Sequence, residues 1–428
     1  MFFNIKINVS ILLKCKYICN KIGSRESQLF NIFHKMQLKE FADIHTETYR
    51  DSYTDTYKEI LQQPEMWLKA YCLIYDKMDK IKEFLSKNSI SKETKIFLTG
   101  AGTSAFIGNI LEYTLNKKGF LNCKAVATTD FITHPSSFLS ETEEVVWVSF
   151  ARSGNSPESL ATVKMADLMS KKAFHIIITC NENGELARKA NSENTLLLLL
   201  PPETNDASLA MTSSFTTMLL TFLLLIDIDE IEEQENVVEQ LSRSASIAMA
   251  EYEGAIKDIA KLNFKRAVFL GAGELKGIAE ECHLKLQELT DGRVICKFDS
   301  FLGFRHGPKA VIDDQTLLVY LFSNDEHVLP YEKDLVEQIN RNNQVVAQIA
   351  VSIGKPVEIP NIKFDLEFVM KDPFKKMNEY GFIPYVLIGQ LLGFYKSLAM
   401  GLNPDNPSVS GNISRVVEGV TIYNNIYN

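Results

Sequence analysis

Twice in this chain a short apolar run breaks into two glycines and then into a helical stretch. The first is Lys95-Ile-Phe-Leu-Thr-Gly-Ala-Gly-Thr-Ser104 and the second is Ala267-Val-Phe-Leu-Gly-Ala-Gly-Glu274. Such a break belongs at the carboxyl end of a parallel strand, where an open α/β sheet receives its ligand. Its recurrence about 170 residues later implies two related α/β halves. Between them lies Phe150-Ala-Arg-Ser-Gly-Asn-Ser-Pro-Glu158, a second hydroxyl-rich turn in the first half.

The rest of the chain fits that frame. With 428 residues there is room for two domains with normal cores. A net charge of -9 and the lack of a dominant basic stripe argue against nucleic acid as a partner. Seven cysteines without a CxxC pair read as reduced thiols of a cytosolic protein, not a disulfide frame or zinc site. Residues 1–35 carry six Lys and Arg against the single acid Glu26, with no clean cleavage site. They read as a disordered extension or a start assigned upstream of Met36. Residues 207–226 are uncharged and long enough to span a bilayer. Their seven hydroxyls and acidic flanks favour a buried helix instead, so no membrane is expected as a partner.

Residues 36–92 read as a helical lead-in, with Ile60, Leu61, Trp67, Leu68, Tyr71, Ile74, Tyr75 and Met78 at helical spacing. From Lys95, apolar runs at 96–99, 125–127, 145–150, 175–179 and 195–200 alternate with amphipathic stretches. That alternation implies a parallel sheet with helices on both faces. A charged helix, about 229–253, leads to a second set of runs at 267–270, 294–297, 317–322, 345–351 and 364–369. The organisation expected is a first α/β domain at 93–230, a linking helix at 231–256 and a second domain with its tail at 257–428.

Three stretches carry chemistry. Gly102, Thr103 and Ser104 would offer an anion free helix N–H groups and hydroxyls, although Thr and Ser also serve as plain helix caps. The same stretch loosely fits a dinucleotide pattern, but the acid expected about 20 residues on is missing. Arg152 is followed by Ser153, Gly154, Asn155 and Ser156, which repeat the offer after a buried strand, with Pro157 suited to the first helical turn. Ser208 and the hydroxyls up to Thr217 either line the same pocket or bond back along a buried helix. In the second half Glu281, Lys285 and Glu288 fall on one helix face. That spacing reads as a surface ion-pair ladder or as a site face. His306, beside Arg305 and before Gly307-Pro308, suits a general acid in a cleft. No metal-ligand cluster stands out, and no cofactor is expected.

With these residues the chain resembles the sugar isomerase (SIS) family, in two tandem domains from about Met36 onward. Gly-Thr-Ser at 102–104, Ser-Gly-Asn-Ser at 153–156, the Glu281, Lys285 and Glu288 face, and His306-Gly-Pro308 carry the resemblance. Within the family it is similar to the galactosamine-6-phosphate deaminase/isomerase group, also called tagatose-6-phosphate ketose/aldose isomerase. Ala151 to Glu158, Phe304 to Lys309, Asn403-Pro-Asp-Asn-Pro407 and Ser414-Arg-Val-Val carry that likeness. The resemblance implies a flavodoxin-like α/β/α fold in each half. It implies a sugar-phosphate site between the domains, completed by a second subunit of a homodimer or larger homo-oligomer.

The isomerase half of glucosamine-6-phosphate synthase is a further relative. Its catalytic Glu falls on Glu288 and its ring-opening His on His306. This chain lacks that enzyme's glutaminase domain, places Ala151-Arg152 where it has Ser-Gln, and has Arg415 where it has a tail Lys. Without a built-in ammonia source, the direction favoured is ammonia release from an amino-hexose 6-phosphate. Arg415 stays protonated, which disfavours a Schiff base and leaves it to clamp an anion or a sugar oxygen. A plain ketose/aldose isomerase, a non-catalytic sugar-phosphate sensor and a nicotinamide-dependent oxidoreductase are the alternatives. A sensor needs neither Glu288 nor His306.

Overall fold

The computed structural model describes residues 54–423 except 191–192, 343, 373–374, 376 and 418. The expectations for residues 1–35 lie outside the described residues. Three helices lead in: α1 (Asp55–Leu61), α2 (Gln63–Asp76) and α3 (Met78–Lys87). The first sheet follows as β1 (Lys95–Gly100), α4 (Thr103–Lys117), β2 (Cys123–Ala127), α5 (Thr128–Thr133), β3 (Glu144–Ala151), α6 (Pro157–Met169), β4 (Lys172–Thr179), α7 (Glu185–Lys189) and β5 (Thr195–Leu199). Helices α8 (Ser213–Ile226) and α9 (Ile231–Lys261) connect to the second sheet. It comprises β6 (Arg266–Leu270), α10 (Glu274–Leu289), β7 (Ile295–Asp299), α11 (Phe301–Phe304), β8 (Thr316–Leu321), α12 (Leu329–Asn342), β9 (Ala347–Ile353) and β10 (Leu366–Met370). Helix α13 (Val386–Ala399) ends the regular structure.

Both sheets are five-stranded and wholly parallel. Their orders are β2-β1-β3-β4-β5 and β10-β9-β8-β6-β7, the same doubly wound order in each half. Phe97, Phe131 and Trp147 pack in the core of the first half, and Phe301, Tyr320 and Phe322 in the second. The runs were apolar at nearly every position because the strands are buried on both faces.

The two halves meet through helices. Helix α10 lies between α4 and α13, and glycines set the distance. A Cβ on Gly277 would sit 2.5 Å from Ile110 of α4, and one on Gly389 would sit 2.6 Å from Cys282. Larger side chains there would push the helices apart. The linking helix runs past the expected 256 to Lys261, because Ile256, Ile259 and Ala260 continue its buried face beyond Gly254. Helix α8 is buried along nearly its whole length, and no helix among the described residues is long and apolar enough to cross a membrane.

Candidate active site

The first glycine opening sits at the carboxyl end of β1, which lies between β2 and β3 where the strand order reverses. A Cβ on Gly100 would lie 2.5 Å from the Ser104 carbonyl, so only glycine allows the turn. Gly102 has φ 55° and ψ -130°, a conformation that glycine alone adopts easily. Helix α4 then begins at Thr103 without a side-chain cap. The amides of Ser104 and Ala105 donate to the carbonyls of Ala101 and Gly102 at 3.2 and 2.8 Å, so of the free amides expected at this opening the turn itself uses these two, and the positive dipole end still faces the loop. The second opening matches closely, with Gly273 at φ 58° and ψ -129°, but Glu274 stands first in its helix.

The turn after β3 is braced from the neighbouring strand. Asn181 Nδ2 donates to the Ser153 carbonyl at 2.8 Å, and the Glu185 amide donates to Asn155 Oδ1 at 2.9 Å. Ser156 caps α6, accepting the Ser159 amide at 3.2 Å. The capping reading thus holds for Ser156 and not for Thr103 or Ser104, whose hydroxyls are buried at the other opening. Gly154 takes φ +65°, which the turn requires.

Lys285 joins the halves at the centre. Its side chain is 1 % exposed, yet its ammonium donates to Glu288 Oε2 at 2.6 Å and to Thr103 Oγ1 of α4 at 3.0 Å. Glu281 Oε1 stands 3.3 Å from the same nitrogen. Burial opposes the charge on Lys285, but Glu281 and Glu288 outweigh it and hold its pKa above the ordinary lysine value. Burial pushes the Glu281 carboxyl up to about 8. Glu288 differs from both, since 22 % of its side chain is exposed. The ladder is therefore not a surface feature. It is a buried pair with one carboxylate left partly open to solvent, the exposure a proton shuttle needs.

A third group of residues converges on the loop at 205–209. The Arg152 guanidinium is buried and donates to the carbonyls of Ser208 (3.3 Å), Leu209 (3.1 Å) and Arg415. Arg415 donates from Nε and Nη2 to the Asp206 carbonyl at 2.8 and 2.6 Å and to Asn205 Oδ1 at 3.1 Å. Burial lowers the pKa of Arg152, while Asp206 and Glu288 are among the charges that favour its cation.

Several hydroxyls singled out by the sequence are used inside the protein. Asp206 is buried and accepts the amides of Thr212, Ser213 and Ser214 at 2.9, 3.2 and 3.0 Å, together with their hydroxyls. It caps α8. Thr216 bonds Gln63 and Trp67 of the lead-in, and Thr221 bonds back to the Thr217 carbonyl. Ser208 gives its hydroxyl to Glu59. Glu59 also takes the amides of Ala207 and Ser208, the latter at 3.1 Å, and burial followed by Asp206 pushes its carboxyl up to about 7. No local pattern pointed to Glu59, which meets its partners across 148 or more residues. An Asp shortly before a Ser-rich helix start was a readable capping signal for Asp206.

His306 is exposed on the turn after α11, where Gly307 takes φ +112°. Its amide donates to the Gly303 carbonyl at 3.0 Å, and among the described residues its ring has no hydrogen-bond or ion-pair partner. No hydrogen bond or ion pair joins it to Glu288 within this chain. Among the described residues no three His, Cys, Asp or Glu side chains are grouped to hold a metal ion.

Comparison with known proteins agrees with this architecture. Residues 89–227 match the SIS domain. D-galactosamine-6-phosphate deaminase AgaS of Escherichia coli is 37 % identical over 374 residues, covering 86 % of this chain and 96 % of that protein. The protein of the same name from Shewanella sp. strain ANA-3 is 36 % identical, covering 86 % and 91 %. The crystal structure of tagatose-6-phosphate ketose/aldose isomerase from Escherichia coli superposes with a TM-score of 0.80 at 33 % identity, over 88 % of this chain and 98 % of that one. With that identity sustained over nearly the whole of each relative, the chain belongs to the AgaS branch of the SIS-domain family.

Proposed function

We propose that the chain is a sugar-phosphate deaminase/isomerase that converts galactosamine 6-phosphate to a ketose 6-phosphate and ammonia. The observation that carries this reading is Glu288, a half-sheltered carboxylate fixed by a buried lysine that also holds Thr103 of the glycine opening. One ammonium thus ties the base to the cradle. The names and activities of the AgaS relatives support the same substrate.

In this mechanism the phosphate rests on the N-terminal end of α4 and on the turn at 153–156, held by Ser104 and Ser153, with Ser156 fixing the turn as the cap of α6. Each helix end contributes about 0.3–2 kcal/mol of charge interaction. His306 moves a proton at the ring oxygen and opens the sugar. Glu288 takes the C2 proton, giving an enolamine, and returns it to C1. The imine left at C2 adds water, and ammonia departs as the ketose forms. His306 lies on an exposed turn and its ring has no hydrogen-bond or ion-pair partner among the described residues, which supports a second subunit bringing it to the site. A homodimer or larger assembly with shared active sites, located in the cytoplasm, belongs to this reading.

The test is ammonia release by the purified chain from galactosamine 6-phosphate, with glucosamine 6-phosphate in parallel. Release from the galacto sugar with matching ketose phosphate is the expected result. Hexose phosphate binding without release from either sugar would replace this reading with plain isomerisation or sensing.

A further inference from the structure

The loop at 205–209 is held from two sides through the same peptide planes. In the 206–207 peptide the carbonyl of Asp206 takes the Arg415 guanidinium at 2.6 and 2.8 Å, while the amide of Ala207 donates to Glu59. In the 208–209 peptide the Ser208 carbonyl takes Arg152 at 3.3 Å, while the Leu209 amide donates to the Asp405 carbonyl at 2.9 Å. A trans peptide points its N–H and C=O in opposite directions. Whatever grips the amide therefore aims the carbonyl. Hydrogen bonds strung through one peptide also polarise one another.

Glu59 is the acceptor on the amide side. It lies on α1, is only 6 % exposed, and directs both carboxylate oxygens at Ala207 and Ser208. Helix α1 is itself fixed, since Asp405 accepts the amides of Asp55 and Thr56 at 3.1 and 2.8 Å. The lead-in thus reaches the arginine pair through a chain of specific bonds.

We propose that Glu59 is a positioning residue for sugar-phosphate binding, acting through the 206–207 peptide to set the Arg415 guanidinium, with Arg152 held beside it. The inference rests on the proposed function and on the reading that Arg415 faces the substrate, with Arg152 bracing it through the Arg415 carbonyl. It gives the N-terminal helix a part in the site, although none of its side chains is assigned to the chemistry. A positioning group for ground-state contacts acts on affinity, so its loss raises KM and leaves kcat. A purely structural role does the reverse, because a smaller folded fraction lowers apparent kcat and leaves KM.

The experiment compares the full chain with Glu59→Ala and Glu59→Gln, using steady-state ammonia release from galactosamine 6-phosphate and calorimetric binding of tagatose 6-phosphate. Circular dichroism checks folding. Glu59→Ala raises KM and Kd at least 10-fold with kcat within 3-fold. Glu59→Gln keeps one acceptor oxygen and raises them about 3-fold. Unchanged KM and Kd in folded Glu59→Ala overturn the proposal. If Glu59→Ala does not fold, unchanged values in Glu59→Gln overturn it. If the unaltered chain releases no ammonia, the proposed reaction fails by itself, and the binding measurement alone decides the role of Glu59.

Discussion

The ammonium of Lys285 lies 2.6 Å from Glu288, one turn further along the same helix, and is almost wholly withdrawn from water. A lysine so placed does not reach solvent or a remote ligand phosphate. Its reach ends at three oxygens, those of Glu281, Glu288 and Thr103. The pair therefore fixes where the Glu288 carboxylate points.

Replacing Glu288 with Gln keeps the shape and one acceptor for Lys285 but removes the base. Ammonia release should fall about 10²–10⁴-fold, while calorimetric affinity for a hexose 6-phosphate stays near the unaltered value. Full activity in this variant would falsify the assignment.

Lys285→Met removes the cation from between two buried or half-buried acids. Breaking a buried ion pair from one side costs about 3–5 kcal/mol. The cost should be largest above about pH 8, where Glu281 would otherwise be ionised, and smaller in mild acid, where it takes up a proton. Urea unfolding at both pH values measures this. Adding Glu281→Gln should recover much of the loss at high pH.

Asp206→Ala strips six donors from the start of α8 at one stroke. An ordinary cap is worth about 0.5–2 kcal/mol, and this carboxylate is buried, so the loss should reach at least about 2 kcal/mol. Asp206→Asn, which keeps one acceptor oxygen, should lose less. Equal stability of Asp206→Ala and the parent in denaturant titration would remove the cap from the account of this helix.

Glu332 supplies a test of pH dependence away from the site. Burial pushes its carboxyl from 4.5 up to about 7, with Asp325 adding to the rise. Its folded pKa lies above the unfolded one, so the unfolded chain releases the proton first as pH rises. The stability it contributes is complete below pH 4.5 and is lost by about pH 7. The slope is about 1.4 kcal/mol per pH unit for one proton. Glu332→Gln keeps an acceptor for the Ser323 amide and should show a flatter melting profile across that window. Parallel profiles for the two proteins would count against it.

The shared-site reading has its own check. Glu288→Gln and His306→Asn, each inactive alone, should regain activity when unfolded together and refolded as a mixture, because a mixed dimer then holds one site with both groups. Mixtures as inactive as their components would place His306 with the Glu288 of its own chain or outside the reaction.

What could be read from the sequence follows the range of the interactions. Strand runs and glycine openings are local, and both sheets formed where the apolar runs lay. The shared face of Glu281, Lys285 and Glu288 was equally local, but its burial was not. A surface ladder has the same spacing, and the outcome was set by Gly277 and Gly389 letting α4 and α13 close over α10. The hydroxyls before and within α8 were read either as a pocket lining or as bonding back along a buried helix, and Thr221 does bond back. Asp206, Gln63 and Glu59 use most of them, and Gln63 and Glu59 come from the lead-in. Glu59 itself carried no signal, since an acid on an amphipathic helix looks like any solvated face.

The bond between Asp405 and the start of α1 also bears on how the protein is made. The Thr56 amide finds its acceptor 349 residues later. During synthesis the lead-in helix emerges early, and Thr54 caps it locally, but the carboxylate that takes its first amides arrives only when almost all of the rest has left the ribosome. The first sheet can assemble from its own strands as it appears, but the loop at 205–209 must wait for the last segment. The bonds from Asp405 and Arg415 to that loop therefore cannot form before these residues emerge, and a ribosome stalled before residue 405 would display a first sheet whose 205–209 loop lacks them.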